Sequence, residues 1–172
     1  YMKEKILSHP CEDIEFVKKN ETVVRPILSA GEMSLFLDSI DIETSIGLRD
    51  RALMELIYSS ALRVSDAANL TIGDIDFENR MAYIKYSKFG KQRYVPVNEV
   101  AMTFLFRLTE GRRADKASSV FMGSAGHLRA TSMARRFKEL LSRSGIKKDS
   151  LSIHSIRHST ATHLLENGAD IR

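Results

Sequence analysis

The sequence predicts a mainly α domain carrying one small three-stranded antiparallel β-sheet. Three observations lead there. Apolar residues recur at helical spacing along most of the chain, the period falls to two only between about residues 74 and 97, and capping residues punctuate the helical stretches. With 172 residues, 43% of them hydrophobic, there is apolar material for one well-packed domain and too little for two large ones.

Taken in order, residues 1–9 read as the end of a helix that His9-Pro10 breaks, and residues 11–26 as a polar linker from something upstream. The division is therefore 1–26, the end of an upstream helical domain plus linker, and 27–172, the main domain. Ser29 and Glu32 stand at capping-box spacing and open a helix with Met33, Phe36, Leu37 and Ile40 on one face. A second helix is expected over 46–59, where Leu48, Leu53, Leu56 and Ile57 recur, and a short third over 64–70. Strands are expected over 74–77, 81–87 and 92–97, with a turn at Glu78-Asn79 and another at 88–91, where Gly90 supplies a permissive backbone. Pro96 falls near a strand end, where its missing donor is tolerated. Val120-Phe121 reads as a further short strand. Helices over 99–109, 132–143 and 156–167 complete the chain, with Gly111, Gly145 and Gly168 as their stops.

Composition narrows the function. Nine glycines, three prolines and no low-complexity run argue against disorder. Cys11 is the only cysteine, so no internal disulfide can form and a reducing, cytoplasmic setting is the natural expectation. No apolar run reaches membrane-spanning length, and the first residues lack a signal-peptide core. The net charge is only +4, but residues 80–93 hold five basic side chains and no acid, and residues 129–148 hold seven against Glu139 alone. These blocks carry +11 together, which leaves −7 for the rest of the chain. Two basic blocks on an acidic body point toward a polyanion, with two solvated faces as the ordinary alternative.

Three separated segments carry chemistry: Ala61-Leu62-Arg63-Val64-Ser65-Asp66 between two helices, the turn at Lys88, and His154-Ser155-Ile156-Arg157-His158 opening a helix. A phosphodiester gains charge on its non-bridging oxygens during displacement at phosphorus. Two fixed guanidiniums can each give those oxygens paired hydrogen bonds and stay charged at any working pH. Arg63 and Arg157 are the candidates. A leaving oxygen needs a proton, which Lys88 can give if neighbouring arginines lower its pKa, and His154 can bond an oxygen or relay a proton. Each residue taken singly has an ordinary surface or packing role. Their order and settings together make the case.

With residues 48–58 and the stretch to Asp76, the Ala61–Asp66 segment resembles the first-arginine box of the tyrosine recombinases, the phage integrase family. Lys88-Phe89-Gly90-Lys91-Gln92-Arg93-Tyr94-Val95-Pro96-Val97 resembles that family's lysine hairpin, and Ser152 through Leu165 its His-x-x-Arg box. The likeness runs from about Ile27 to the end of the chain. It implies the tyrosine-recombinase catalytic-domain fold, with Arg63, Lys88, His154 and Arg157 in catalytic roles, Asp66 steadying the site and His158 as structural support. Two departures are small: the family usually has Gly where Ala61 stands and often Glu where Asp66 stands.

The resemblance implies site-specific DNA recombination or integration through a 3′-phosphotyrosyl intermediate, without metal or other cofactor. Double-stranded DNA is the expected partner, contacted by Lys91 and Arg93 of the hairpin and by Thr131, Arg135, Arg136 and Arg143 of an amphipathic helix. The whole enzyme is expected to work as a homotetramer on DNA. All five tyrosines precede the His-x-x-Arg box and Tyr1 precedes a Met, so the nucleophile is expected beyond Arg172 and the chain is expected to be a piece of a longer protein, by itself monomeric and inactive. Three rivals remain at this point: a type IB topoisomerase, a non-catalytic DNA-binding module of the same fold, and a zinc hydrolase built on His154 and His158, for which no third ligand stands at convincing spacing.

Overall fold

A computed structural model describes residues 26–85, 91–124 and 126–170. The elements are α1 (Ala30–Asp38), α2 (Ser45–Ser60), α3 (Val64–Ala68), a 3₁₀ turn (Ile72–Asp74), β1 (Ile75–Asp76), β2 (Met81–Ile84), β3 (Arg93–Pro96), α4 (Glu99–Thr109), β4 (Met122–Gly123), β5 (Gly126–His127), α5 (Ala130–Arg143) and α6 (Ile153–Glu166). The expected helix end over 1–9, the linker apart from Pro26, and the turn at Lys88 and Gly90 lie outside the described residues.

Helix α2 is the hub. It packs most extensively on α4, then on α6, and touches α1 and α3. A helix covered on several sides buries residues all round, and Ala52, Leu53, Met54, Leu56 and Ile57 are all buried. So are two acids on it, Asp50 and Glu55, and each is paired. The Asp50 carboxylate receives Arg49 on Oδ1 at 2.6 Å and Arg136 of α5 on Oδ2 at 2.7 Å. Glu55 receives Arg51 at 2.8 Å, and Arg51 also donates to the Leu37 carbonyl at the end of α1 and lies over the Phe104 ring of α4. The core continues into α5, where Phe137 meets Phe36 of α1 edge to face at 5.3 Å.

The three-stranded sheet has the order β1-β2-β3 and is antiparallel, with Ala82 opposite Val95 and Tyr83 opposite Tyr94. Ala82, Ile84 and Val95 face the core, and the tyrosine pair lies on the outer face. Asp76 Oδ1 accepts the Glu78 and Asn79 amides and closes the first turn. Strand β1 is shorter than expected because the chain first makes the 3₁₀ turn, which Asp74 caps by accepting the Thr71 amide and hydroxyl. Strand β2 ends at Ile84, and the next residue, Lys85, reaches the same Asp74 carboxylate at 2.6 Å.

Other boundaries also differ from expectation, and α3 stops at Ala68 rather than 70. Helix α6 begins at Ile153 rather than 156, because the Ser155 hydroxyl accepts the Ser152 amide and starts the helix earlier. Helix α5 begins at Ala130. The expected strand at 120–121 is displaced: Val120 donates its amide to Leu70, and β4 starts at Met122. The capping box at Ser29 and Glu32 forms as expected, α4 occupies the expected residues, and Gly111, Gly145 and Gly168 all take positive φ.

Two consequences are testable. Asp50→Ala leaves Arg49 and Arg136 without their carboxylate, so equilibrium urea unfolding is expected to show a loss of about 3–5 kcal/mol. The Asp74 carboxyl is pushed up by burial, but the bonds from Lys85 and Thr71 and the lysine charge outweigh that and hold it below its ordinary value. Its stabilisation is therefore full above the unfolded pKa of about 3.9 and fades as pH falls through the lower folded value. Asp74→Asn is expected to flatten the decline in stability across that acid range, followed by urea midpoints at stepped pH.

Candidate active site

Helix α2 ends at Ala61, which adopts the left-handed conformation (φ 49°, ψ 33°) without being glycine. The chain reverses there. Leu62 and Val64 insert into the core, which turns the residue between them outward, and Arg63 becomes the half-buried N-cap of α3. Asp66 lies three residues on, in the first turn of α3, and is buried.

The first turn of α6 arrives opposite. Ile153 and Ile156 are buried, His154 is exposed, and Arg157, three residues beyond it on the same side of the helix, is half-buried. Arg157 Nη1 donates to the Ala61 carbonyl at 2.5 Å, so the second arginine is bound to the turn that presents the first. The free amides of the α6 start add to the positive potential. Burial, then the like charges of Arg63 and Arg93, push the Arg157 pKa below the ordinary arginine value, while Asp66 opposes them. Arg63, Arg93, Arg157 and Asp66 thus form one electrostatic cluster. Its net positive charge suits an anion.

The remaining expected residues divide. Lys88 lies outside the described residues, and Lys91 is exposed. Arg93, expected to contact DNA, instead binds Asp66 Oδ2 through Nη2 at 3.0 Å. His158 is half-buried. On α5, Met133, Phe137 and Leu140 face inward, while Thr131 and Arg143 are exposed and Arg135 is 75% exposed with only a 3.8 Å pairing to Glu139. Arg136, also expected to contact DNA, is held by two carboxylates. Its side chain is only 21% exposed, Nε and Nη2 both bind Asp50, and Nη1 binds Glu139. One residue along a helix is a rotation of about 100°, which turns Arg136 toward α2 while Arg135 faces solvent. Among the described residues no three His, Cys, Asp or Glu side chains converge as a metal site, so the His154–His158 pair gains no third ligand there.

At the other end of α2 from this cluster, an open cavity of about 1060 Å³ runs between the start of α2, the β4–β5 hairpin and the start of α5. Arg49, Arg112, Arg129, Arg135 and Arg136 line it and no acid does. Arg49 and Arg136 share the charge of Asp50 behind the wall, and Arg112 donates to the Leu108, Ser119 and Val120 carbonyls. Neither Arg49 nor Arg112 was singled out by sequence. The one available signal was the charge of the 129–148 block, which pointed to Arg129 without separating it from its neighbours.

Comparison with known proteins fits this arrangement. The family model described as "Phage integrase family" matches residues 26–172. The tyrosine recombinase XerC 2 of Ralstonia nicotianae is 36% identical over 97% of this chain and 49% of its own length. The tyrosine recombinase XerD of Corynebacterium glutamicum is 38% identical over 84% of this chain and 50% of its own. The chain thus spans about half the length of these curated relatives. Among solved structures, the XerA recombinase superposes with a TM-score of 0.73 at 25% identity, covering 86% of this chain and 54% of that one. The Tn1549 transposon integrase, in complex with circular intermediate DNA, gives 0.73 at 21% identity over 89% and 56% and so shares the fold.

The Ala61 turn yields a stability test. A left-handed non-glycine residue costs about 1–2 kcal/mol. Ala61→Gly relieves that strain against a smaller entropic loss, so urea unfolding is expected to show stability unchanged or raised by up to about 1 kcal/mol. The same exchange at Ala134, inside α5, is expected to lower it by about 1 kcal/mol.

Proposed function

The chain belongs to the phage integrase family, and from that premise we propose that residues 27–172 are the catalytic domain of a tyrosine-type site-specific recombinase acting on double-stranded DNA. The observation that carries the reading is the meeting of Arg63 and Arg157 at the Ala61 turn, with His154 on the same helical turn as Arg157.

The chemistry follows from that geometry. A DNA phosphate bound between the two guanidiniums presents its non-bridging oxygens to paired N–H donors, which strengthen their hold as charge builds at phosphorus. A tyrosine hydroxyl attacks and gives up its proton to solvent, directly or relayed by His154, a phosphotyrosyl bond forms at the 3′ side, and the P–O5′ bond breaks. The departing 5′ oxygen takes a proton, in this proposal from Lys88, while His154 bonds a phosphate oxygen or relays the proton. The 5′-hydroxyl of a second strand then attacks the same phosphorus and releases the tyrosine. One ester replaces another, so no external energy source is required. In this proposal the nucleophile is a tyrosine that follows the His-x-x-Arg box in chain order; the five tyrosines of this sequence all precede His154.

Duplex DNA extends from the cluster onto the arginine-lined cavity and the outward face of α5, where Arg135 and Thr131 stand exposed. Arg136 belongs to the scaffold. The working assembly is a homotetramer on DNA. The setting in this proposal is the cytoplasm, where such DNA is found. Among the described residues no helix is long and apolar enough to cross a membrane.

Two measurements test the proposal. In the intact protein, Arg63→Ala or Arg157→Ala is expected to slow formation of the covalent protein–DNA adduct by about 10²–10³-fold with duplex affinity little changed. A loss confined to affinity would identify a non-catalytic DNA-binding module instead. For the chain alone, duplex affinity is expected to fall steeply with salt. Arg135→Ala should reduce the log–log slope by about 0.9, the share of one phosphate contact, whereas Arg136→Ala should chiefly lower the unfolding midpoint.

A further inference from the structure

The salt bridge between Arg93 and Asp66 joins strand β3 to the first turn of α3, inside the cluster that holds the two candidate catalytic arginines. We propose that Arg93 is a positioning residue: by taking the buried Asp66 carboxylate for itself, it keeps Arg63 and Arg157 free for the DNA phosphate. This rests on the recombinase reading above and assigns Arg93 a role different from the DNA contact its sequence position suggested.

The Asp66 side chain is only 2% exposed. A carboxylate that far from water must be matched by a cation and its hydrogen bonds. Three guanidiniums are within reach of its field. Arg63 precedes it by three residues on the same turn, and Arg157 senses Asp66, Arg63 and Arg93 together. Yet the ion pair forms with Arg93, and among the described residues neither Arg63 nor Arg157 has a carboxylate partner.

The choice of partner matters. A guanidinium that is paired with a carboxylate has part of its donor fork occupied, and a phosphate oxygen would have to displace that carboxylate first. If Arg93 were absent, the cations left nearest to Asp66 would be the two that the phosphate needs. Arg93 removes the competition. Its Nη2 faces Asp66, and its side chain is 34% exposed, so it reaches the buried carboxylate from the solvent side. The three guanidiniums and one carboxylate also leave a net +2, which suits a phosphate whose negative charge rises during displacement.

The test is a double-mutant cycle in the intact protein, scored by the rate of covalent adduct formation on a nicked duplex oligonucleotide, by duplex affinity and by thermal melting. Arg93→Ala is expected to slow adduct formation at least about tenfold at near-constant affinity, because Asp66 now captures a catalytic arginine. Adding Asp66→Asn removes the competing charge and is expected to restore at least about fivefold of that rate, while Arg93→Lys, which keeps a cation for Asp66, is expected to retain more activity than Arg93→Ala. A purely structural link predicts no rescue, since the double variant loses the same bridge. An active wild type with no rescue overturns the proposal. So does an Arg93→Ala loss that appears as weaker, less salt-sensitive duplex binding, which would mark a direct phosphate contact. If wild type itself forms no adduct, the recombinase reading fails and this proposal falls with it. If Arg93→Ala shows no cooperative melt, Arg93→Gln with and without Asp66→Asn makes the same comparison.

Discussion

Like charges gathered among half-buried side chains repel one another, by a few kcal/mol for close pairs at the effective dielectric of a protein (~20). The site depends on overcoming that repulsion before any substrate arrives. Arg63, Arg93 and Arg157 come from three elements distant in sequence, and each is restrained by something other than solvent. Arg63 is held by the buried residues on either side of it, Arg157 by the Ala61 carbonyl, and Arg93 by Asp66. Side chains restrained in this way need little further ordering to meet an anion.

The scaffold obeys the same electrostatic rule at larger scale. Asp50, Glu55, Asp66 and Asp74 are all buried, and each is matched by a cation from another part of the chain or from the adjacent turn. These pairs do more than offset buried charge. Asp50 fastens α5 to α2, Arg51 gathers α1 and α4 around α2, and Asp74 joins the 3₁₀ turn to the end of β2. Most of the other described acids are exposed, and none lines the cavity beside α5.

The work of the site is divided between elements that cannot move independently. The turn at Ala61 presents one arginine and, through its carbonyl, receives the other. A shift of α6 relative to α2 would change both positions together, and the buried side of α6 opposes such a shift. Thr160 bonds the Tyr58 carbonyl, Ser159 receives the Leu28 amide, and the Tyr58 hydroxyl meets His163 Nδ1 at 3.0 Å. The placement of Arg157 against the Ala61 turn is thus set by helix packing.

The sequence alone determined the local elements and the kind of chemistry. The Ser29–Glu32 capping box, the extent of α4, the glycine stops and the alternating strands depend on neighbours within a few residues, whose effects are readable in order along the chain. The three motif boxes likewise carried the resemblance that led to the family. Tertiary structure decided where the charged side chains went. Arg135 and Arg136 are adjacent and chemically identical, yet one is exposed and the other ends on Asp50, 86 residues away. Arg93 looked like a surface contact until Asp66, 27 residues back, proved to be its partner. A long cation takes whichever carboxylate the fold brings near it, and that proximity comes from packing distant helices and strands together. Residue type and spacing could name the arginines, but only the assembled core could say which of them remain free for a phosphate.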